Sequence, residues 1–191
     1  SPDIISAIRA IDKDVWIVYQ PGINNIEYKD YEPLKDKRVI YSIHFYRPFY
    51  FTHQGVEKTY GAENMSREQA LAAIQNKYPD NRWNRSVMEA DLRTVADFSK
   101  KYHAPILVGE FSVIAWAPIE SSKAWLTDAI DLFEKCNFSW CYHAFREWQG
   151  WSLEHAEGTN AFWFKKDPTP AAVKYETERA KIIKAGFKKN K

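Results

Sequence analysis

The sequence predicts an α/β fold, with four parallel strands and helices packed outside them. Two observations carry this. Short apolar runs of β-branched and aromatic residues alternate with amphipathic helical patterns along nearly all 191 residues. Long connections and helices separate the strand-like runs, and that order gives a parallel sheet. A third observation concerns function. Three of the runs end in polar or aromatic side chains: one at His44 and Tyr46, one at Glu110, one passing Trp140 and Tyr142 to Glu147, Trp148 and Trp151. No repeat, low-complexity segment or linker divides the chain, so residues 1–191 are read as a single unit.

Residues 3–11 place Ile4, Ile5, Ile8 and Ile11 on one helical face. Val15–Val18 is a short strand, closed by Gln20-Pro21-Gly22. Val39–Phe45 is the second strand. In the long loop that follows, Ser66 and Gln69 form a capping box that opens a short helix through Ala73. Ser86 and Glu89 repeat that pattern before Leu92, Val95 and Phe98. Pro105–Glu110 is the third strand and Ser122–Glu134 the next helix, with Trp125, Ile130 and Phe133 apolar. Phe138–Phe145 is the fourth strand. Thr169 as N-cap and Pro170 at the first helical position begin a last helix reaching about Ala185.

Composition narrows the function. Net charge is +2 with both signs interspersed, which leaves no footprint for nucleic acid or an acidic membrane. The basic run Lys184–Lys191 reads as a solvated helix end. Cys136 and Cys141 flank a helix-to-strand turn and read as buried thiols without a disulfide. No apolar run reaches membrane-spanning length and no signal peptide is present. The start at Ser1-Pro2-Asp3, without an initiator Met, reads as a piece or processed form of a longer chain. Aromatics make up 16% of residues, including 8 Trp, which suits a surface that stacks flat ligands. No metal or cofactor is expected.

Single residues are ambiguous. Glu110 by itself serves equally well as a structural carboxylate at a strand end, and a lone histidine such as His44 is more often a satisfied core residue. Tyr46, two residues on, shares a strand face with His44 and favours a site. Trp125 reads as helix core, Trp83 as loop packing, and one of Trp140 and Tyr142 as core.

Taken in order, these residues resemble the C-terminal half of glycoside hydrolase family 5, the cellulase and mannanase family with a (β/α)8 barrel. Ile8-Arg9-Ala10-Ile11-Asp12 with Val15–Val18 is similar to the family's fourth helix and fifth strand. Ser42-Ile43-His44-Phe45-Tyr46 with Pro48 resembles its sixth-strand His-x-Tyr motif. Val108-Gly109-Glu110-Phe111 resembles the seventh-strand Gly-Glu-Phe motif, and Trp140–Trp151 falls where the eighth strand belongs. The resemblance implies half of a (β/α)8 TIM barrel, strands five to eight of the family fold, open to completion by dimerisation. It implies a retaining endo-β-1,4-glucanase with Glu110 as nucleophile, Tyr46 as its hydrogen-bond partner and His44 binding a sugar hydroxyl or tuning the pair. Trp116, Trp148, Trp151 and Trp163 would line sugar subsites, with Glu147 on sugar hydroxyls. His143 or Phe145 would stand where the family usually has a strand-eight Trp.

The family's acid/base Glu follows an Asn at the end of the fourth strand, upstream of this chain's first helix, and no Asn-Glu-Pro occurs here. Two alternatives follow: a non-catalytic carbohydrate-binding remnant, or one half of a split barrel. The expected partners are a β-linked polysaccharide or oligosaccharide and a homodimer mate or complementary half-barrel chain. An extracellular location is implied by the resemblance alone.

Overall fold

The structure, a computed structural model, describes residues 2–22, 27–56, 66–164 and 167–189. The elements run α1 (Pro2–Ile11), β1 (Ile17–Tyr19), β2 (Val39–Phe45), α2 (Phe49–Thr52), α3 (Arg67–Ala73), α4 (Arg85–Tyr102), β3 (Ile106–Phe111), α5 (Ile119–Lys135), β4 (Ser139–Trp140) and α6 (Glu178–Phe187). The four strands form one parallel sheet in the order β1-β2-β3-β4, as the alternation predicts. Among the described residues no helix is long and apolar enough to cross a membrane.

One face of the sheet meets helices. Tyr41, Ile43 and Phe45 of β2 alternate onto this face. Phe45 stacks on Trp125 of α5 at 6.0 Å, and Tyr41 meets Phe98 of α4 edge-on at 5.0 Å. Phe111 of β3 meets Phe133 at 5.1 Å, and Trp140 of β4 stacks on Phe187 of α6 at 4.9 Å. The helices supply the matching stripes: Met88, Leu92, Val95 and Phe98 on α4, and Trp125, Ala129, Ile130 and Phe133 among others on α5. The other face carries Ile40, His44, Leu107 and Glu110, all partly exposed, and the buried Ser42.

Local signals place most ends correctly. Ser66 and Gln69 make the reciprocal capping box. At α4 the cap is Asn84 instead of Ser86, because the Asn84 carboxamide accepts the N–H groups of both Ser86 and Val87. β4 is far shorter than Phe138–Phe145. Beyond Trp140, among the described residues, only Cys141 N–H to Val108 and His143 N–H to Phe111 continue the pairing. Both cysteines are free as expected, but Cys141 is exposed and only Cys136 is partly buried.

The last helix begins at Glu178, eight residues beyond Pro170. A tertiary cap decides this. The Thr177 hydroxyl accepts Ala180 N–H and donates to the Leu153 carbonyl at 2.7 Å, while the Glu157 carboxylate accepts the N–H groups of Glu178 and Arg179. Four orphan donors open any helix, and here Glu157 satisfies two of them and the Thr177 hydroxyl a third. The basic run lies at this helix end, its last two residues outside the described ones.

Arg179 is 1% exposed. Its guanidinium donates to Val113 O at 3.0 Å, Ser152 O at 2.7 Å and the Tyr142 hydroxyl at 3.3 Å, with Glu157 3.4 Å from Nε. One buried cation thus ties α6 to the segments that follow β3 and β4. Removing one partner of a buried pair leaves the other charge without compensation. Arg179→Met is therefore expected to lower unfolding free energy by about 3–5 kcal/mol, measured by urea denaturation. A loss below about 1 kcal/mol would show that the pair is dispensable.

Candidate active site

The site begins with a register irregularity. Ile43 pairs with Val108, but His44 pairs with Glu110, so Gly109 is an extra residue in β3. Simple alternation from Ile106 and Val108 would send residue 110 to the helix side. The bulge instead turns Glu110 to the open face and gives Phe111 the helix-facing place beside Phe45. Crowding favours glycine, since a Cβ at position 109 would lie 2.7 Å from Ser42 Oγ and the serine hydroxyl would have to shift.

Glu110 then meets the side chains of β2. Tyr46 donates its hydroxyl to Glu110 Oε2 at 2.8 Å, and His44 Nδ1 lies 3.4 Å from the same oxygen. Tyr46 is 6% exposed. Burial first, and then the hydrogen bond and charge of Glu110, raise its pKa, so it serves as a fixed proton donor.

Around Tyr46 stands a ring of aromatic groups. Trp151 lies 6.0 Å away, His143 6.4 Å and His53 4.9 Å, all centroid to centroid. His143 Nε2 contacts Glu147 at 2.8 Å, and Glu147 acts electrostatically on Tyr46. Trp148 meets Trp151 at 5.8 Å and Trp163 at 6.2 Å, extending the row. The Trp151 backbone is held from behind, where its carbonyl accepts the Tyr142 hydroxyl at 2.9 Å, itself a ligand of Arg179.

The structure therefore gathers Glu110, His44, Tyr46, His143, Glu147, Trp148 and Trp151, with Trp163 at the end of the row. Two expected residues present no face to the cleft. Trp116 packs edge-on against Trp148 at 5.6 Å but is 1% exposed with its indole N–H on Gln54 O, so it supports the row from the core and offers no open face. Phe145 is 78% exposed, with the Arg146 guanidinium 5.0 Å from its ring, and does not join the cluster. His53 was missed. It sits between Tyr46 and Trp151, both at 4.9 Å, and its only signal is a place one short helix beyond Tyr46. A concavity of about 830 Å³ lies at the opposite, N-terminal ends of β3 and β4 near Pro105 and Ser139. Parallel barrels place chemistry at the C-terminal strand ends, away from this concavity.

Burial, and then the neighbouring His143, depress the His53 pKa from its ordinary value to about 4. The unfolded chain, titrating near 6.5, therefore binds more protons between these values. Stability from the neutral ring is complete above pH 6.5 and is lost as pH falls towards 4. Between pH 7 and pH 5 the wild type is expected to lose about 2 kcal/mol more than His53→Gln, read from urea midpoints at both pH values. Equal losses would contradict the assignment.

Known proteins resemble this chain in both sequence and fold. A family model described as Cellulase (glycosyl hydrolase family 5) matches residues 2–149. Endoglucanase C of Acetivibrio thermocellus is 29% identical over 153 residues, covering 70% of this chain and 44% of that protein. Cellodextrinase A of Ruminococcus flavefaciens is 28% identical over 104 residues, 54% of this chain and 29% of its own. Among solved structures, Thermotoga maritima Cel5A in complex with cellobiose superposes with a TM-score of 0.64 at 29% identity, covering 78% of this chain and 46% of that one. The cellulose synthase subunit Z of Clostridioides difficile gives 0.66 at 26%, covering 80% and 48%. The chain spans about half the length of the relatives it matches, and the shared part is four strands of a TIM barrel with their helices. By the match over residues 2–149, the chain belongs to glycosyl hydrolase family 5.

Proposed function

We propose that this chain carries the nucleophile side of a retaining endo-β-1,4-glucanase. The observation that supports this most directly is the Glu110 carboxylate at a strand end, held by Tyr46 at 2.8 Å and flanked by His44 at 3.4 Å. In such a reaction Glu110 attacks the anomeric carbon, a glycosyl-enzyme ester forms, and water then hydrolyses it. The Tyr46 hydroxyl fixes one carboxylate oxygen and leaves the other for attack. His44 is placed to hold a sugar hydroxyl. Trp151 and Trp148 offer flat faces to pyranose rings, and the His143–Glu147 pair offers polar groups beside them. The ligands of the solved relatives, cellobiose and mannotriose, are sugars of this class. A polymeric substrate fits an extracellular location.

A retaining mechanism needs a second carboxyl group about 5–5.5 Å from the first. In this reading that group comes from strands outside the 191 residues. They would pair, as a complementary half-barrel, along the open edges of β1 and β4. The apolar residues exposed at the β1 side, Ile11, Val15, Trp16 and Val18, suit such a cover.

Two outcomes test the reading. Glu110→Gln is expected to lower hydrolysis of an aryl β-cellobioside by roughly 10⁴-fold or more, with circular dichroism unchanged; retained activity would remove Glu110 from the mechanism. The chain without a second half is expected to cleave aryl glycosides whose leaving groups need no proton, yet to be weaker on cellulose by about 10²–10⁴-fold, the contribution of a general acid. Binding of cellulose oligosaccharides with no turnover of either substrate would favour the carbohydrate-binding alternative.

A further inference from the structure

A closed circuit of contacts runs through the site. Glu110 is followed in the chain by Phe111 and Ser112. The fully buried Ser112 hydroxyl donates to the Tyr142 hydroxyl at 3.1 Å. Tyr142 in turn donates to the Trp151 carbonyl at 2.9 Å. The Trp151 ring lies 6.0 Å from Tyr46, and Tyr46 donates to Glu110 Oε2 at 2.8 Å, which closes the circuit. Tyr142 is the one member to which neither strand-end chemistry nor sugar stacking gives a role.

Its hydroxyl has no freedom at this junction. A phenol gives one hydrogen bond and accepts through its oxygen lone pairs. Arg179 Nη1, 3.3 Å away, can only donate, and the Trp151 carbonyl can only accept. The phenol proton therefore points at Trp151, and Ser112 gives its own. The ring is held as well, since Phe111 meets it edge-on at 5.8 Å. Tyr142 thus grips both residues after Glu110 and, with its single proton, the backbone of Trp151. On the loop side three successive carbonyls are held from outside. Gly150 O accepts Ala115 N–H at 2.8 Å, Trp151 O accepts Tyr142, and Ser152 O accepts Arg179 at 2.7 Å. The flanking bonds keep the loop on the fold, and the central one fixes Trp151 itself.

We propose that Tyr142 is a positioning residue for the reaction at Glu110: its hydroxyl sets the spacing between the nucleophile strand and the Trp151 ring, and so the pose of the sugar under attack. It rests on the reading of Glu110 given above. Trp151 offers a flat face to a pyranose ring, and attack needs the anomeric carbon within reach of the free Glu110 oxygen. A misplacement of about 1 Å at the reacting atoms costs about 10²-fold in rate. Tyr142 touches no substrate; it acts through Trp151.

The test is a double-mutant cycle on an aryl β-cellobioside, with Tyr142→Phe, Trp151→Ala and the two combined. Tyr142→Phe keeps the ring on Phe111 and removes only the hydroxyl. It is expected to lower kcat by about tenfold to a hundredfold, with KM little changed because the Trp151 face is intact. Trp151→Ala is expected to raise KM, and adding Tyr142→Phe to it to lower kcat no further. Ser112→Ala, which cuts only the strand side of the joint, is expected to give a smaller loss of kcat that also vanishes without Trp151. It keeps the test open should the phenylalanine variant fail to fold. Val95→Ala, in the buried stripe of α4, controls for lost stability and is expected to lower the urea midpoint with kcat unchanged. The same fold-loss of kcat with and without Trp151, or an equal loss in Val95→Ala, makes Tyr142 merely structural and overturns the proposal. Wild-type kcat in every Tyr142 and Ser112 variant that folds overturns it too. Each of these results leaves the Glu110 reading standing while Glu110→Gln is inactive. A wild-type chain without turnover defeats the two together.

Discussion

The one extra residue at Gly109 is the constraint on which the site depends. Parallel pairing of β2 and β3 runs in step to Ile43 and Val108 and then shifts by one. The shift is anchored on both faces of the sheet. On the helix side Phe45 and Phe111 are both fully buried, each worth about 1.5–3 kcal/mol relative to exposure. On the open side Glu110 arrives beside His44 and beneath the Tyr46 hydroxyl. Undoing the bulge would bury a carboxylate among aromatic rings and expose Phe111, so packing and electrostatics enforce the same register.

The aromatic half of the site depends on a different device. After β4 the backbone leaves regular pairing, and the segment bearing Trp148 and Trp151 lacks a strand to hold it. Arg179 supplies the substitute by gripping Ser152 O, Val113 O and the Tyr142 hydroxyl from inside the core. Glu157 balances its charge and caps α6 in the same act. A helix remote from Glu110 thereby sets where Trp151 stands, and the rigid strand end and the held loop meet at Tyr46.

Much of this was legible in the sequence for identifiable reasons. The parallel α/β order followed from alternating periodicities, and Glu110, His44 and Tyr46 followed from strand ends and a shared strand face. The losses occurred where tertiary contacts override local signals. Thr169-Pro170 carries a good N-cap pattern, yet α6 is capped by Thr177 and starts at Glu178 because Leu153 and Glu157 reach that end through space. Trp116 is as aromatic as Trp151, and only the fold turns its indole to Gln54. Phe138–Phe145 has strand composition throughout, but β4 stops at Trp140, and among the described residues only the Cys141 and His143 N–H groups pair beyond it. The bulge itself leaves only a glycine before a glutamate, which alternation alone does not interpret.

The central claim is that the shifted register makes Glu110 a nucleophile. Its most direct measurement is treatment of the chain with a 2,4-dinitrophenyl 2-deoxy-2-fluoro-β-cellobioside, followed by peptide mass spectrometry. This reagent needs no acid to expel its leaving group, so it reports on the nucleophile alone. The account predicts one covalent sugar adduct, on Glu110, with labelling lost when Gly109 is replaced by a bulkier residue that must displace Ser42. An adduct on Glu147 or another carboxylate, or none on a chain that binds the reagent, would contradict it.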